Sequence, residues 1–162
     1  MSRLIVIAGP SCAGKSPLFK ALQRFYPDLL AGTRPVVLYN SREPRPGEAD
    51  GRDYHFRPRA CIEELREKDS MVVMDVRGDL QALDVNELHE GLSSGDMLFE
   101  GNPVIGRELM QVALPAGAQR LGMFVAPLSK QELSELDEQG ADLEALVTDV
   151  MRRKLLRRTQ KQ

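Results

Sequence analysis

Short apolar segments alternate with longer helical patterns along most of the chain. The apolar segments, typical of buried β-strands, fall at residues 3–8, 35–39, 71–76, 96–100 and 121–126. Helical patterns lie near residues 16–26, 59–68, 84–93, 104–112, 129–138 and 141–158. Strands that alternate with helices indicate βαβ units, because parallel neighbours need a crossover connection. The pattern therefore predicts an α/β fold, with a mainly parallel sheet and helices on both of its faces.

The turn between the first strand and the first helix carries a phosphate-loop motif. Residues 9–16 read Gly-Pro-Ser-Cys-Ala-Gly-Lys-Ser, which fits G-x-x-x-x-G-K-[ST] at every fixed position. In such a loop, backbone N–H groups and a helix N-terminus surround nucleotide phosphates. The motif predicts that Lys15 reaches the β and γ oxygens of ATP and that the Ser16 hydroxyl binds Mg²⁺. The predicted cofactor-binding residues are Gly9, Ser11, Cys12, Ala13, Gly14, Lys15 and Ser16.

Pro17 departs from what this loop needs. Proline is tolerated in the first turn of a helix, but it has no backbone N–H to offer a phosphate. We therefore expect nucleotide affinity to be weaker than the motif alone suggests.

Composition and charge narrow the class of protein. The 162 residues are enough for one domain, predicted to span 1–162, and the net charge of -2 argues against a surface built for nucleic acid. Two cysteines give no disulfide framework. No apolar run approaches the roughly 20 residues of a membrane span. These features predict a cytoplasmic protein with no nucleic-acid or membrane partner, and they leave its oligomeric state open.

A second polar loop has the features of an anion clamp. Residues 41–56 hold Arg42 and Arg45 three positions apart among prolines, with Tyr54 following. Two guanidinium groups can fork around a phosphate dianion, and a tyrosine hydroxyl can donate to the same group. A phosphate loop for a donor and an arginine clamp for an acceptor together predict phosphoryl transfer between two phosphorylated molecules.

These two motifs resemble those of the guanylate kinase family, and weaker similarity continues over nearly the whole chain. The resemblance implies a P-loop kinase fold with an acceptor-binding and lid segment at about 36–95. It also implies that ATP and Mg²⁺ are cofactors, that nucleotides are the small-molecule substrates, and that Arg42, Arg45 and Tyr54 hold the acceptor phosphate. Glu100 lies where the family has an acidic residue near metal and acceptor.

Positions that read guanine in the family are changed in this sequence. A family serine is matched by Leu38, a family glutamate by Val73, and a lid Tyr-Gly-Ser/Thr by Ala82-Leu83-Asp84. Asp75, two residues after Val73, is the remaining candidate to contact the base. A pocket without paired polar groups should lose its preference for guanine. In a rival register, residues 74–80 instead match the family's strand-end segment Asp-Val-Gln-Gly.

The arginines that the resemblance implies beside the transferring phosphate are not at the family's positions in this sequence. Residues 136–140 are acidic where the family has a basic run, and Arg152 or Arg153 matches the next family arginine only if a turn is inserted before it. Arg153 is the candidate, and Lys15, Arg42, Glu100 and Arg153 are then the predicted catalytic residues. Residues 152–161 hold six basic side chains and no acid, and the other interpretation is a solvated helix end.

The sequence favours a kinase that moves phosphate from ATP to a phosphorylated acceptor, with a nucleoside monophosphate such as GMP first among the acceptors. Two alternatives remain: a related kinase with altered acceptor specificity, and a non-catalytic module that binds a phosphorylated ligand. Intact Lys15 and Ser16 favour the kinase, because non-catalytic relatives usually lose the phosphate loop.

Overall fold

A four-stranded parallel sheet forms the centre of the molecule. The computed structural model describes residues 1–159. The central sheet has the strand order β2-β7-β1-β8, and every neighbouring pair is parallel. Its strands are β1 (Arg3–Ala8), β2 (Arg34–Pro35), β7 (Met97–Gly101) and β8 (Gln119–Phe124). The α/β fold expected from the alternation of strands and helices is confirmed.

A smaller mixed sheet is inserted between β2 and β7. It has the order β4-β3-β6-β5, in which β3 and β4 are parallel while β3–β6 and β5–β6 are antiparallel. Its strands are β3 (Tyr39–Asn40), β4 (His55–Phe56), β5 (Met71–Val76) and β6 (Asp79–Asp84). All four lie inside the segment 36–95 that the sequence assigned to acceptor binding.

Seven α-helices connect the strands within the described residues. They are α1 (Lys15–Phe25), α2 (Pro27–Leu30), α3 (Arg59–Glu64), α4 (Val85–Ser94), α5 (Pro103–Gln111), α6 (Lys130–Glu138) and α7 (Leu143–Thr159). A short 3-10 turn, Leu65–Glu67, extends α3. Asp84 caps α4 by accepting hydrogen bonds from the N–H groups of Asn86 and Glu87. No helix of the described part is long and apolar enough to cross a membrane.

Buried aliphatic side chains fix the central sheet, and a glycine lets a helix approach it closely. Leu4, Val6 and Ile7 of β1 are all at most 1% exposed, because β1 is covered by strands on both sides and helices above and below. A Cβ on Gly106 of α5 would lie 2.4 Å from the Ala8 Cβ, at the strand end that leads into the phosphate loop. The close packing of α5 thus sets the position of that loop.

One predicted strand was wrong, and two strands were missed. The segment 35–39 is not one strand: its ends belong to β2 and β3, which lie in different sheets. Strands β4 and β6 were missed: β4 has only two residues, and β6, although its polar Asp79 and Gln81 alternate with apolar residues as in a strand, lies in the segment that was matched to a lid. A two-residue turn at Arg77-Gly78, with φ values of 60° and 86°, joins β5 to β6. Positive φ at both turn positions suits the right-handed twist of a hairpin.

Candidate active site

The loop after β1 has the backbone of a phosphate cradle. Cys12 and Gly14 both have positive φ, at 63° and 106°, which turns consecutive N–H groups toward one concavity. A Cβ on Gly9 would lie 2.4 Å from the carbonyl oxygen of Val125, so only glycine fits against the chain that follows β8. The helix α1 then begins at Lys15, and its N-terminus adds the free N–H groups that favour an anion.

Lys15 and Ser16 are held at the mouth of this cradle. The Lys15 Nζ donates to the carbonyl oxygens of Gly9 and Pro10, at 2.8 and 2.9 Å. The Ser16 Oγ donates to the Glu100 Oε1 at 2.9 Å, although the two residues are 84 positions apart. Because β7 lies beside β1 in the parallel sheet, its carboxyl end brings Glu100 to the loop. A hydroxyl and a carboxylate are the hard oxygen donors that Mg²⁺ prefers.

The residues present fit a magnesium ion that is held by one or two protein oxygens and otherwise by waters and substrate phosphates. No group of three or more His, Cys, Asp or Glu side chains that could hold a metal occurs in the described residues. Mg²⁺ commonly binds through one or two protein oxygens and completes its shell with waters and substrate phosphates. Ser16 and Glu100 can supply those oxygens.

The loop that connects β3 to β4 orders Arg42 before any ligand binds. The two terminal nitrogens of the Arg42 guanidinium donate to the two carboxylate oxygens of Glu48, at 2.6 and 2.7 Å. The guanidinium carbon also lies 5.1 Å from the ring centroid of Tyr54 and 5.4 Å from that of Phe56. The Arg42 hydrogen bonds hold the pKa of Glu48 at about 2, while the same bonds raise the pKa of Arg42.

Two further carboxylates hold the shape of this loop. Asp50 accepts a 2.7 Å hydrogen bond from the backbone N–H of Phe56, and Asp53 accepts one of 2.9 Å from that of Ala49. These backbone hydrogen bonds lower the pKa of both carboxyl groups. The acids of the loop therefore stabilise its fold, which leaves the arginines as its anion-binding groups.

The phosphate loop and the arginine loop open into one cavity of about 730 Å³. The phosphate loop contributes Gly9, Ser11, Cys12, Gly14, Lys15, Ser16 and Pro17. The arginine loop and the β5–β6 hairpin contribute Arg42, Arg45, Tyr54, Val76, Arg77, Asp79 and Gln81. Glu100, Gly101 and Asn102 lie at the end of β7, and Lys154 and Arg157 reach in from α7. Of the predicted cofactor residues, Ala13 does not line this cavity.

Comparisons with known proteins agree with this arrangement. A family model described as guanylate kinase matches residues 1–75. A guanylate kinase of Aromatoleum aromaticum is 34% identical over 156 residues, which cover 94% of this chain and 71% of that protein. The chain belongs to the guanylate kinase family. A guanylate kinase of Nitrosospira multiformis is 36% identical over 132 residues, covering 80% of this chain and 59% of that protein.

A solved structure supports the fold independently. The crystal structure of guanylate kinase from Anaplasma phagocytophilum matches with a TM-score of 0.53 at 16% identity, over 98% of this chain and 86% of that one. At this identity the match shows the fold alone, a P-loop kinase fold.

The structure corrects the assignment of Asp75 to the substrate. Strand alternation places Val73 and Asp75 on one face of β5, and that face lies over a small core around Ile62, Leu80 and Ala82. Asp75 is exposed on that face, and its Oδ1 accepts a hydrogen bond from the backbone N–H of Gly78. Its Oδ2 lies 3.7 Å from the Nη2 of Arg59. The two residues do share a face, as the sequence indicates, but it is the face turned away from the cavity.

Leu38 is also absent from the cavity wall. It is 2% exposed and belongs to the main core cluster, together with Leu83 and Phe99, while Val72 and Tyr54 pack against that cluster. Leu38 and Leu83, which the resemblance matched to family residues that read guanine, are thus part of the hydrophobic core. The hairpin residues that do line the cavity are Val76, Arg77, Asp79 and Gln81.

Sequence reasoning missed Gln81 and Asn102. Gln81 is 7% exposed, and its Oε1 lies 3.4 Å from the Asn102 Nδ2. Asn102 also caps α5, because its Oδ1 accepts from the N–H of Ile105 at 3.0 Å. The alternation of residues 79–84 was a signal for a strand and could have identified Gln81 as a residue on the Asp79 face.

The structure does not place Arg153 with the other predicted catalytic residues. Arg153 does not line the cavity, and its guanidinium pairs with Asp149 one turn earlier on α7. The cations of α7 that line the cavity are Lys154 and Arg157. Gln160 and Lys161, which end the basic segment, lie outside the described residues.

Proposed function

We propose that this chain transfers the γ-phosphoryl group of ATP to the phosphate of a nucleoside monophosphate. One observation carries the proposal: the phosphate loop with Lys15 and the clamp with Arg42 and Arg45 line the same cavity. Two phosphate-binding groups that face each other are what a transfer between two phosphorylated molecules needs. The names of the relatives support the same reaction class.

The phosphate loop would bind the donor. The N–H groups of residues 11–16 and the start of α1 suit the phosphates of ATP, and the Lys15 ammonium would lie against its outer oxygens. Mg²⁺, held by Ser16 and Glu100, would supply charge neutralisation between the phosphates when bound. The catalytic roles of Lys15, Arg42 and Glu100 are part of this proposal.

The arginine loop would bind the acceptor. Arg42, Arg45 and the Tyr54 hydroxyl would hold the acceptor phosphate so that one of its oxygens faces the γ-phosphorus of ATP. A new O–P bond then forms to that oxygen, the bond between the γ-phosphorus and its bridging oxygen breaks, and the electron pair leaves on the β-phosphate of ADP. The products are ADP and a nucleoside diphosphate.

The same proposal covers the organisation of the chain. Residues 1–162 would act as a single P-loop kinase domain, in which the segment of about 36–95 binds the acceptor. The central sheet carries the donor loop and Glu100, while the mixed sheet carries the acceptor loop and the Gln81 hairpin.

A kinase with altered acceptor specificity is the second candidate. The observation that favours it is the burial of Leu38 and Leu83, which are 2% and 1% exposed within the main core. The arginine clamp would remain while the part that recognises the base is changed, so that acceptors share a phosphate rather than a guanine.

The test is ³¹P NMR of the wild-type chain with ATP, Mg²⁺ and each nucleoside monophosphate in turn. We expect signals of ADP and of a nucleoside diphosphate to grow together, and only when an acceptor is present. Equal ADP formation without an acceptor would identify an ATPase, and absence of both signals with every acceptor would contradict the proposal.

A further inference from the structure

Two cations of α7 line the cavity into which the phosphate loop opens. Lys154 and Arg157 lie three residues apart, which places them on one face of the helix, and both line the cavity together with Lys15. Arg152 and Arg153 belong to the same basic segment but are not part of the cavity wall. All four residues are cationic, so their position on the helix decides which of them line the cavity.

The cavity is strongly electropositive. Of the described side chains that line it, six are cationic and only two, Asp79 and Glu100, are acidic. An excess of positive charge in a concave site concentrates polyanions. The acidic helix α6 contributes no residue to the wall, so α7 supplies the cations on its side of the cavity.

Pro17 gives a reason for cations at this place. It lies in the first turn of α1, lines the cavity and has no N–H, so the helix N-terminus offers a phosphate one donor fewer. A charged donor from α7 can replace that contact. Hydrogen bonds to ionised groups are roughly twice as strong as neutral ones.

A solvated helix end is the competing explanation. Cations in the last turn of a helix are favourable because of the helix dipole, and Arg157 lies in the last turn of α7. Lys154 lies more than one turn before the end of α7, so the dipole does not account for its position at the cavity wall. In addition, none of the α7 side chains from Leu143 to Arg157 is buried. Since core packing does little to fix this helix, a phosphate chain between α7 and the loop would add to its stability.

We propose that Lys154 and Arg157 bind the terminal phosphates of ATP and that this contact holds α7 against the phosphate loop. The inference rests on the proposed function, because it concerns the same donor site. The two cations take over the part that the resemblance assigned to arginines ahead of Gly140, where this chain has acids.

The experiment compares two double variants of equal net charge. Lys154→Ala/Arg157→Ala removes both cavity cations, while Lys20→Ala/Arg152→Ala removes two exposed cations that do not line the cavity. Isothermal titration with a non-hydrolysable ATP analogue and with AMP gives affinities. Hydrogen exchange of the α7 amides, with and without the analogue, gives a second readout independent of activity.

We expect the cavity variant to bind the analogue about 10- to 100-fold more weakly, with less than about a 3-fold change for AMP, because AMP lacks the terminal phosphates. The analogue should protect α7 amides in the wild type and in the control variant but not in the cavity variant. Equal losses in both variants, or unchanged α7 protection in the cavity variant, would overturn the inference while leaving the proposed function intact. If the wild type fails to bind the analogue at all, both proposals fail.

Discussion

Both oxygens of the Glu48 carboxylate accept hydrogen bonds from the two terminal nitrogens of Arg42, at 2.6 and 2.7 Å. Glu48 Oε2 also accepts from the backbone N–H of Arg45 at 2.8 Å. The Glu48 carboxylate thus contacts both arginines of the clamp, through the Arg42 side chain and the Arg45 backbone. A guanidinium that is already oriented loses less conformational entropy when it binds a phosphate.

Glu48→Gln should weaken binding of the acceptor without a direct contact to it. The amide keeps one acceptor oxygen but turns an NH₂ group toward a donor, so Arg42 loses its paired contact. We expect an affinity loss of about 10-fold for a nucleoside monophosphate, near the lower end for hydrogen bonds to charged groups. Glu43→Gln, on the exposed side of the same loop, is the control and should bind as the wild type does. Equal affinities for the two variants would show that Glu48 does not position the clamp.

The same pair predicts a pH dependence of stability. The folded protein lowers the pKa of Glu48 from 4.5 to about 2, mainly through the Arg42 hydrogen bonds. A depressed carboxyl pKa stabilises the folded state above the unfolded pKa, and this contribution is lost as the pH falls from 4.5 through 2. Urea unfolding should be measured from about pH 6 down to about pH 2. The free energy of unfolding should fall more steeply over this range for the wild type than for Glu48→Gln. The same slope of unfolding free energy against pH in both proteins would contradict a lowered pKa of Glu48.

Lys15→Ala should remove most of the ATP affinity while the fold remains. Its ammonium is anchored on the Gly9 and Pro10 carbonyls at the mouth of the cavity, so its replacement leaves the core intact. Loss of a charged contact to phosphate costs about 1.5–3 kcal/mol, or roughly 10- to 150-fold in affinity. Lys20→Ala, exposed on the same helix, controls for the loss of charge. Titration with the ATP analogue and a thermal melt together separate lost binding from lost folding.

Local sequence patterns predicted the central sheet and the phosphate loop because the information there is local. An apolar strand, a glycine-rich turn and a helix follow one another within residues 3–25, and each element packs beside its neighbour. The partner of Ser16 could be predicted only through the resemblance. Glu100 is 84 positions away, and the parallel pairing of β1 with β7 brings it close.

The acceptor side was less predictable because a side chain's direction depends on register. A one-residue shift in a strand exchanges the two faces of a sheet, so residue counting cannot decide between Asp75 and Val76. The pairing of Asp75 with Leu80 and of Val76 with Asp79 settles that Val76 faces the cavity. On α7, likewise, Arg153 and Lys154 are adjacent, and only the helix orientation distinguishes them.

Gly106→Ala should destabilise the protein, although alanine is the better helix former. The substitution normally gains about 0.5–1 kcal/mol in a helix interior. Here the new Cβ would lie 2.4 Å from the Ala8 Cβ, which is attached directly to the strand backbone and cannot turn away. Overpacking of this kind costs about 1–3 kcal/mol. Chemical denaturation should therefore show a net loss of up to about 2.5 kcal/mol, whereas Arg107→Ala, exposed on the same helix, should be neutral or stabilising.

The last prediction concerns the base of the acceptor. Leu38 and Leu83 belong to the hydrophobic core, so these positions offer no partner to the edge of a guanine. Burying that edge without partners costs about 1–3 kcal/mol for each polar group. We therefore expect GMP to bind no more than a few-fold better than AMP or ribose 5-phosphate, since the arginine clamp reads the phosphate that all three share.

The measurement is a side-by-side titration of the three acceptors in the presence of the non-hydrolysable ATP analogue. A preference for GMP of about a hundredfold, equal to roughly 2.7 kcal/mol, would contradict the prediction. The hairpin groups that face the cavity would then be the readers, because a carboxylate at Asp79 can accept from the guanine N–H groups and Gln81 can both donate and accept. Asp79→Ala and Gln81→Ala separate these cases: removal of a base reader lowers GMP affinity alone, whereas removal of a phosphate contact lowers the affinity for all three acceptors equally.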